Sequence, residues 1–315
     1  MEHEPVLLDR VVEFLVPALG SGGVFVDATL GLGGHARAVL DACPRASLIG
    51  IDRDPFALAE ARANLSAYAE RIRLVRDNFS ELQTILERLG VEKIRGILFD
   101  LGVSSPQLDR SERGFSYRSE GPLDMRMDPE QPLSADVVVN SYPERDLARV
   151  ISLYGEERYA RRIAGRIVAA RPIASTSELA DVVKLAIPAA TRRRGGHPAR
   201  RTFQALRIEV NDELGALRSV TQDAVDATEP GGRVVYLSYH SLEDRAVKES
   251  FAAEAKDCVC PPDFPVCRCG AHARVRVLTR RPITPSAEEI DANPRASAAK
   301  LRAAERLSTP PDDAA

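Results

Sequence analysis

Four aspartates each follow a short apolar stretch in the first hundred residues of the chain: Asp27, Asp52, Asp77 and Asp100. Short apolar stretches separated by helical patterns are typical of the parallel strands of an α/β sheet. Ligands of such sheets bind beyond the carboxyl ends of the strands. We therefore predict that these carboxylates lie along one ligand-binding edge.

A glycine-rich turn follows the first of these acids. Residues 27–35 read Asp-Ala-Thr-Leu-Gly-Leu-Gly-Gly-His, and a helical pattern runs from 35 to 41. Glycines let a backbone approach a ligand closely, and the N-terminus of a helix favours negative charge. Asp52 has a carboxylate that can accept both hydroxyls of a ribose. The pattern predicts a site for a cofactor that contains a nucleoside.

Two cofactors fit such a site. A dinucleotide fingerprint requires G-x-G-x-x-G, whereas this chain has Gly31-x-Gly33-Gly34-x-Ala36. The acid before the turn and a second turn at 230–232 favour S-adenosylmethionine (AdoMet). A nicotinamide-dependent oxidoreductase is the alternative.

The alternation of elements defines the domains. Strand patterns at 24–26, 48–51, 72–75 and 97–99 alternate with helical patterns at 35–41, 55–69 and 80–89, which predicts a doubly wound α/β sheet. Strand patterns are missing from about 105 to 213 and return at 233–238 and 274–279. We predict an AdoMet-binding domain of residues 1–106 and 214–307, an inserted helical substrate-recognition domain of 107–213, and a disordered tail of 308–315.

The composition excludes several classes of protein. Hydrophobic residues make up 44% of the 315 residues and charged residues 28%, so the chain is not disordered as a whole. No segment approaches the roughly 18 apolar residues of a membrane helix. Five cysteines, four of them between 258 and 269, do not form the framework of a secreted protein. We expect a cytoplasmic protein without a membrane partner.

The chain has a net charge of −3 but contains one strongly basic segment. Residues 158–207 contain twelve Lys and Arg against two acids, a balance of +10, so the remainder carries −13. Such asymmetry favours a polyanion-binding face, with a solvated basic surface as the alternative. Eight of these arginines are candidate RNA contacts: Arg158, Arg162, Arg166, Arg192, Arg193, Arg194, Arg200 and Arg201.

The spacing of the first basic residues predicts one helical face that carries Arg158, Arg161, Arg162 and Arg166. Aromatic residues near the basic segment are candidates to stack on an unstacked base, with core packing as the alternative. They are Tyr117, Tyr154, Tyr159 and Phe203.

A cysteine cluster lies outside these regions, at Cys258, Cys260, Cys267 and Cys269. Four thiolates can bind zinc tetrahedrally. Reduced cysteines in a proline-rich loop are the alternative interpretation.

Ten ordered blocks cover the chain almost end to end: 3–7, 27–35, 50–54, 100–109, 114–117, 123–127, 154–157, 201–208, 239–245 and 293–302. In these blocks the chain resembles the MraW family of bacterial 16S ribosomal RNA methyltransferases. The resemblance implies a Rossmann-like class I methyltransferase fold and AdoMet as cofactor. It also implies N4-methylation of a decoding-centre cytidine, with 16S rRNA in the small ribosomal subunit as partner.

The resemblance further implies seven cofactor contacts: Gly33, Gly34, His35, Asp52, Phe79, Asp100 and Gln107. The glycines and His35 would surround the methionine part, Asp52 would bind the ribose, and Phe79 would pack on the adenine. An RNA-binding assembly factor without catalysis is a further alternative, which the intact glycine turn and Asp52 disfavour.

The group that accepts the proton of the target amine does not carry over from other amino-methyltransferases. Those enzymes have an Asp/Asn-Pro-Pro-aromatic motif after the fourth strand, where this chain reads Asp-Leu-Gly-Val-Ser-Ser-Pro from Asp100. Our candidates are Asp100 and the segment Tyr239-His240-Ser241 after the fifth strand, in which His240 is the candidate catalytic residue. A structural hydrogen-bonding role is the alternative for His240.

Overall fold

The structure is a computed structural model that describes residues 5–192, 196–258, 260 and 269–308. The chain divides into a first unit of residues 1–102 and 214–315 and a second unit of residues 103–213. The first boundary therefore lies after residue 102, where the sequence analysis placed it after 106. Of the tail predicted to be disordered, residues 309–315 lie outside the described part.

The first unit is built on a seven-stranded sheet of order β3-β2-β1-β4-β5-β7-β6, and this sheet confirms the predicted doubly wound α/β fold. Its strands are β1 Gly23–Asp27, β2 Ala46–Asp52, β3 Ile72–Arg76, β4 Ile94–Asp100, β5 Thr228–Ser238, β6 Val275–Val277 and β7 Lys300–Arg306. Strands β1 to β5 are parallel, and β7 is antiparallel to both β5 and β6.

The strand order fixes where the ligand-binding edge lies. Strand β1 pairs with β2 on one side and with β4 on the other, so the order reverses at β1. Asp27, Asp52 and Asp100 end three neighbouring parallel strands and therefore share one edge at the topological switch point.

Helices cover the sheet. In the first unit they are α1 Leu8–Leu19, α2 Gly34–Ala42, α3 Pro55–Asn64, α4 Leu82–Arg88, α12 Glu213–Ala227, α13 Ser241–Glu254 and α14 Ala287–Ala292. The apolar faces of the first two helices pack with the middle strands into one core, through side chains such as Leu15, Val39, Phe25 and Leu98. This packing holds the strand ends, and hence the three aspartates, in fixed register.

Three features of the first unit differ from the prediction. The helix predicted for 55–69 ends at Asn64 and continues as the 3-10 segment Ser66–Arg71. The turn predicted at 230–232 belongs to β5, where the pairing with β4 shifts register between Ile94 and Gly96. Strand β7 was not predicted.

The second unit is helical in every regular element that the structure describes. The helices are α5 Ser105–Asp109, α6 Ala135–Ser141, α7 Glu144–Gly155, α8 Ala160–Ala169, α9 Thr176–Ala186, α10 Ala189–Arg192 and α11 Arg200–Asn211. They enclose a separate core that includes Met125, Val139, Ile163 and Leu206. The side-chain amide of Asn211 in α11 binds the segment between α5 and α6. It accepts the Met127 N–H at 2.8 Å and donates to the Met125 carbonyl at 2.8 Å.

Among the described residues, no helix combines the length and the apolar character that a membrane span requires.

Candidate functional site

Asp52 connects two strand ends of the sheet. Its Oδ2 accepts the Gly31 N–H at 2.8 Å and its Oδ1 accepts the Asp54 N–H at 2.9 Å. Burial raises the pKa of Asp52, and these two hydrogen bonds oppose that shift by stabilising the carboxylate. Each carboxylate oxygen has a second lone pair, so the group can still accept hydroxyl donors of a ligand.

The glycine turn has a backbone that other residues do not readily adopt. Gly33 lies at φ +80°, and a Cβ on Gly34 would lie 2.5 Å from Cγ of Pro5. Helix α2 begins at Gly34, so the N–H groups of its first turn face the loop that leads out of β1. A helix N-terminus at the edge of a sheet is suited to an anionic group such as a carboxylate.

His35 is buried in the first turn of α2. Its Nε2 lies 2.9 Å from the carbonyl oxygen of Val6, which can only accept, so Nε2 carries the hydrogen. Its Nδ1 lies 3.4 Å from Oδ2 of Asp100. The structure thus brings His35 and Asp100 together, as expected for two residues of one site.

Asp27 is buried beneath these groups. Desolvation raises the pKa of Asp27 to about 8, and the nearby carboxylates of Asp100 and Asp52 add to the shift. The opposing hydrogen bond comes from the Thr29 N–H to Oδ1 of Asp27 at 3.3 Å. Asp27 is therefore largely protonated at neutral pH.

Two residues hold Asp100, and the sequence analysis did not assign the first of them, Thr29, to the site. The Asp100 N–H donates to Oγ1 of Thr29 at 2.6 Å, and the hydroxyl of Tyr239 donates to Oδ1 of Asp100 at 2.7 Å. Tyr239 directly follows β5, so it has the same strand-end position that identified the aspartates. That position is the reason why the sequence analysis named the segment Tyr239-His240-Ser241 as a candidate.

Phe79 and Gln107, implied by family resemblance, have structural contacts of their own. Phe79 is buried, and its ring meets Phe99 edge to face with centroids 5.7 Å apart. Gln107 belongs to the second unit, where its Oε1 accepts the Ser104 N–H at 3.1 Å at the start of α5. Each residue thus has a local packing or capping role in addition to the one that the resemblance implies.

His240 caps a helix. Its Nδ1 accepts the Glu243 N–H at 3.3 Å at the N-terminus of α13, and Oε2 of Glu243 accepts the His240 N–H at 3.2 Å in return. His240 Nε2 is buried 3.1 Å from Oε1 of the same glutamate. These contacts favour the structural interpretation of His240 over the catalytic one.

The candidate RNA arginines lie on several segments of the second unit. Arg162 and Arg166 are exposed on α8 and line a groove with Val182 and Leu185 of α9. Arg161 is exposed on the same helix. The single helical face predicted for four arginines is wrong for Arg158, because α8 begins only at Ala160.

The remaining candidates lie outside this helix. The guanidinium of Arg158 is exposed 4.7 Å from the centroid of the Tyr159 ring. Arg200 and Arg201 are exposed at the start of α11. Arg192 is the last residue of α10, and Arg193 and Arg194 lie outside the described residues.

Two arginines of the basic segment have internal roles. Arg171 donates to the carbonyl oxygens of Val139 and Tyr142, and Arg207 forms a two-pronged ion pair with Glu213 at 2.8 Å for each contact. The positive charge that the segment can offer to a polyanion is therefore smaller than its formal balance of +10.

Among the aromatic candidates, Phe203 is buried in the core of the second unit, which supports core packing for this residue. Tyr117 stacks on the imidazole of His197 with centroids 4.5 Å apart. Tyr154 and Tyr159 are half-buried.

Three of the four clustered cysteines are described, and their sulfurs lie within 4.8 Å of one another. The Sγ atoms of Cys258 and Cys269 are 3.7 Å apart, and the Cys260 N–H donates to Sγ of Cys258 at 3.4 Å. Cys267 lies outside the described residues.

Comparison with known proteins identifies the family. A model of the MraW methylase family matches residues 1–307. A Heliobacterium mobile protein named ribosomal RNA small subunit methyltransferase H is 53% identical over 97% of this chain and 99% of its own length. An Acidothermus cellulolyticus protein of the same name is 54% identical over 97% of this chain and 94% of its own length.

A solved rRNA methylase from Streptococcus thermophilus has a TM-score of 0.42 at 12% identity, with 96% of this chain and 94% of that one covered, and this similarity is too distant to bear on function. The family match spans nearly the whole chain, and the two relatives share more than half of their residues with it. The protein therefore belongs to the MraW methylase family and is a methyltransferase.

Proposed function

We propose that this protein uses AdoMet to methylate N4 of a decoding-centre cytidine in the 16S rRNA of the small ribosomal subunit. The observation that carries the proposal is the shared strand edge at which Asp52, the turn from Gly31 to Gly34, and Asp100 meet. The names of the two relatives supply the class of RNA. Both relatives are bacterial proteins, so we propose that this protein works in the cytoplasm, where bacterial ribosomal RNA is located.

The residues at the edge fit AdoMet by their chemistry. Asp52 offers acceptors for ribose hydroxyls, and the first turn of α2 offers N–H donors for a carboxylate. Asp100 and Nδ1 of His35 add acceptors suited to an ammonium group or an amine. The nicotinamide alternative lacks its fingerprint, and the family match disfavours it further.

When bound, AdoMet supplies a methyl group on a positively charged sulfur, which is open to in-line attack. The chain must align the attacking amine and stabilise the positive charge that develops on it. The lone pair of the cytosine amine is delocalised into the ring, so an acceptor for its N–H makes the nitrogen more nucleophilic. Asp100 is our candidate for this acceptor, because its carboxylate lies at the edge beside the glycine turn.

We assign RNA recognition to the second unit. Arg162 and Arg166 line a groove whose other walls include Val182 and Leu185, a combination that suits phosphates beside apolar faces of bases. Arg158, Arg200 and Arg201 are exposed in the same unit. We include Arg192, Arg193 and Arg194 in this proposal on sequence grounds.

Transfer of the methyl group in vitro tests the proposal. The purified protein would be incubated with methyl-labelled AdoMet and 16S rRNA, either free or in small subunits, followed by nucleoside analysis. Label in N4-methylcytidine is expected, and it should disappear when the decoding-centre cytidine is replaced by uridine. Label at another atom or none at all would contradict the proposal.

We further propose that the cysteine cluster binds zinc. Three sulfurs already lie within 4.8 Å of one another, and a backbone N–H donates to one of them, as is common for metal-bound thiolates. Elemental analysis of protein purified without oxygen should find about one zinc per chain. The metal should be lost in Cys258→Ser and kept in Cys43→Ala, whose thiol is buried elsewhere in the first unit. Metal-free wild-type protein would end this proposal.

A further inference from the structure

Tyr239 and Asp100 come from neighbouring strands of the sheet. Asp100 ends β4 and pairs in register with Leu237 of β5, and Tyr239 follows the end of β5. The hydroxyl of Tyr239 lies 2.7 Å from Oδ1 of Asp100. The backbone of Tyr239 is held as well, since its N–H donates to Oε2 of Glu243 at 2.8 Å.

The direction of this hydrogen bond is fixed. Burial and the neighbouring carboxylate of Asp100 raise the pKa of Tyr239 well above 10, so its hydroxyl is protonated at neutral pH. Tyr239 is therefore the donor and Oδ1 of Asp100 the acceptor. A hydrogen bond to a carboxylate stabilises its charged form and is stronger than one between neutral groups.

The other oxygen of Asp100 has a different neighbour. Oδ2 lies 3.4 Å from Nδ1 of His35, and Nε2 of that ring carries the hydrogen that it donates to Val6. In the neutral ring Nδ1 is an acceptor, as is the carboxylate oxygen. When the ring is neutral, both atoms can accept the N–H of an approaching amine.

We infer that Tyr239 is a positioning residue for methyl transfer. By donating to Oδ1, it holds the Asp100 carboxylate ionised and turned so that Oδ2 accepts the N–H of the target amine. This inference rests on the proposed function, because it requires an amine as the methyl acceptor. Its basis is the pair of contacts on the two oxygens of Asp100.

Methyl transfer at this carboxylate balances in atoms and in charge. The lone pair of the amine nitrogen forms the new bond to the methyl carbon, and the electrons of the broken carbon–sulfur bond stay on sulfur, which gives neutral S-adenosylhomocysteine. The methylated nitrogen then loses one proton to Oδ2 of Asp100, which passes it to water. Asp100 is ionised again at the end of the cycle.

The experiment replaces only the hydroxyl, with Tyr239→Phe. The ring is kept, so folding should be preserved, and a melting curve checks this. The matched control is Tyr68→Phe, which removes a tyrosine–carboxylate hydrogen bond to Asp41 elsewhere in the same unit. Initial rates with 16S rRNA would be measured against AdoMet concentration and pH, together with AdoMet affinity by calorimetry.

In Tyr239→Phe we expect kcat to fall about tenfold to a hundredfold, as for removal of one hydrogen bond to a charged group. The dissociation constant of AdoMet should change less than about threefold. The acidic limb of the rate profile should move to higher pH, because without its donor Asp100 holds a proton more readily. Tyr68→Phe should match wild type in all three measurements.

An unchanged kcat and pH profile in Tyr239→Phe would overturn the inference, as would a loss confined to AdoMet affinity. Those results leave the proposed function standing, because wild-type protein still methylates cytidine in the same assay. Wild-type protein that does not methylate cytidine would overturn both.

Discussion

The carboxylate of Asp52 accepts the N–H of Gly31 at 2.8 Å, and this contact ties the end of β2 to the glycine turn that follows β1. The same side chain is our proposed acceptor for the ribose hydroxyls of AdoMet. The proposal therefore predicts two effects when Asp52 is replaced, one on cofactor binding and one on stability.

Replacing Asp52 with alanine should weaken AdoMet binding at least about tenfold and also lower the free energy of unfolding by about 1–3 kcal/mol. The lower stability follows because the N–H groups of Gly31 and Asp54 no longer have their acceptors in a partly buried place. Calorimetric titration and denaturant unfolding measure the two effects. Asp41→Ala, which removes an exposed carboxylate of α2, serves as control. Wild-type AdoMet affinity in Asp52→Ala would refute the cofactor assignment.

Replacing Asp27 with asparagine should change how stability depends on pH. The folded pKa of about 8 exceeds the ordinary value of 3.8, so between these values the folded chain holds a proton that the unfolded chain has released. As the pH rises through this range, titration of Asp27 lowers the free energy of unfolding of the wild type by up to about 1.4 kcal/mol per pH unit. Asparagine does not titrate, so the variant lacks this decrease. Urea unfolding from pH 4 to 8 should show that the free energy of unfolding of the variant increases steadily relative to that of the wild type. A constant difference would show that the carboxyl titrates normally.

His240→Asn should retain most methyltransferase activity, because the asparagine oxygen can accept the Glu243 N–H as Nδ1 does now. His240→Ala should lower the free energy of unfolding by about 1 kcal/mol because the helix is no longer capped. Methyl-transfer rates and unfolding curves of both variants distinguish a structural role of His240 from a catalytic one. A stable asparagine variant with a thousandfold lower kcat would instead make His240 catalytic.

Replacing Arg162 and Arg166 together with alanine should weaken rRNA binding and make its logarithmic salt dependence shallower by roughly one unit for each phosphate that these arginines neutralise. Both guanidinium groups are exposed at the groove, so the fold should be unaffected. Titrations with an rRNA fragment at several salt concentrations test this, with AdoMet affinity measured in parallel. The control combines Arg62→Ala and Lys248→Ala, which are exposed in the first unit. If the two double variants behave alike, the groove is an ordinary basic surface.

The parts of the fold that the sequence predicted are those with local causes. The glycine turn, the four strands before residue 100 and the acids at their ends follow from short patterns of residue type. The cap formed by Ser104 and Gln107 also has a local signal, a hydroxyl residue followed three positions later by glutamine. The sequence analysis assigned Gln107 to the cofactor alone and therefore missed the cap.

Strand β7 shows where local patterns fail. Its sequence, Lys-Leu-Arg-Ala-Ala-Glu-Arg, favours a helix by residue type. Pairing with β5 overrides this preference, because it buries Leu301, Ala303 and Ala304 in the sheet. The buried charge of Arg302 is offset by its contact with Asp244 at 2.6 Å, a partner 58 residues away that no local pattern reveals.

The hydroxyl of Tyr239 is a similar case in the candidate site. Its acceptor, Asp100, lies 139 residues away in sequence and reaches it only through the parallel pairing of β4 with β5. The order of strands in the sheet, which the sequence did not reveal, was needed to place the two side chains together.

The most direct test of the central claim is mass spectrometry of 16S rRNA from cells that lack this protein. We expect the decoding-centre cytidine to lose its N4-methyl group in those cells and to regain it when the wild-type chain is supplied, whereas the Asp52→Ala chain should not restore it. An N4-methyl group that persists at that cytidine without the protein would contradict the account.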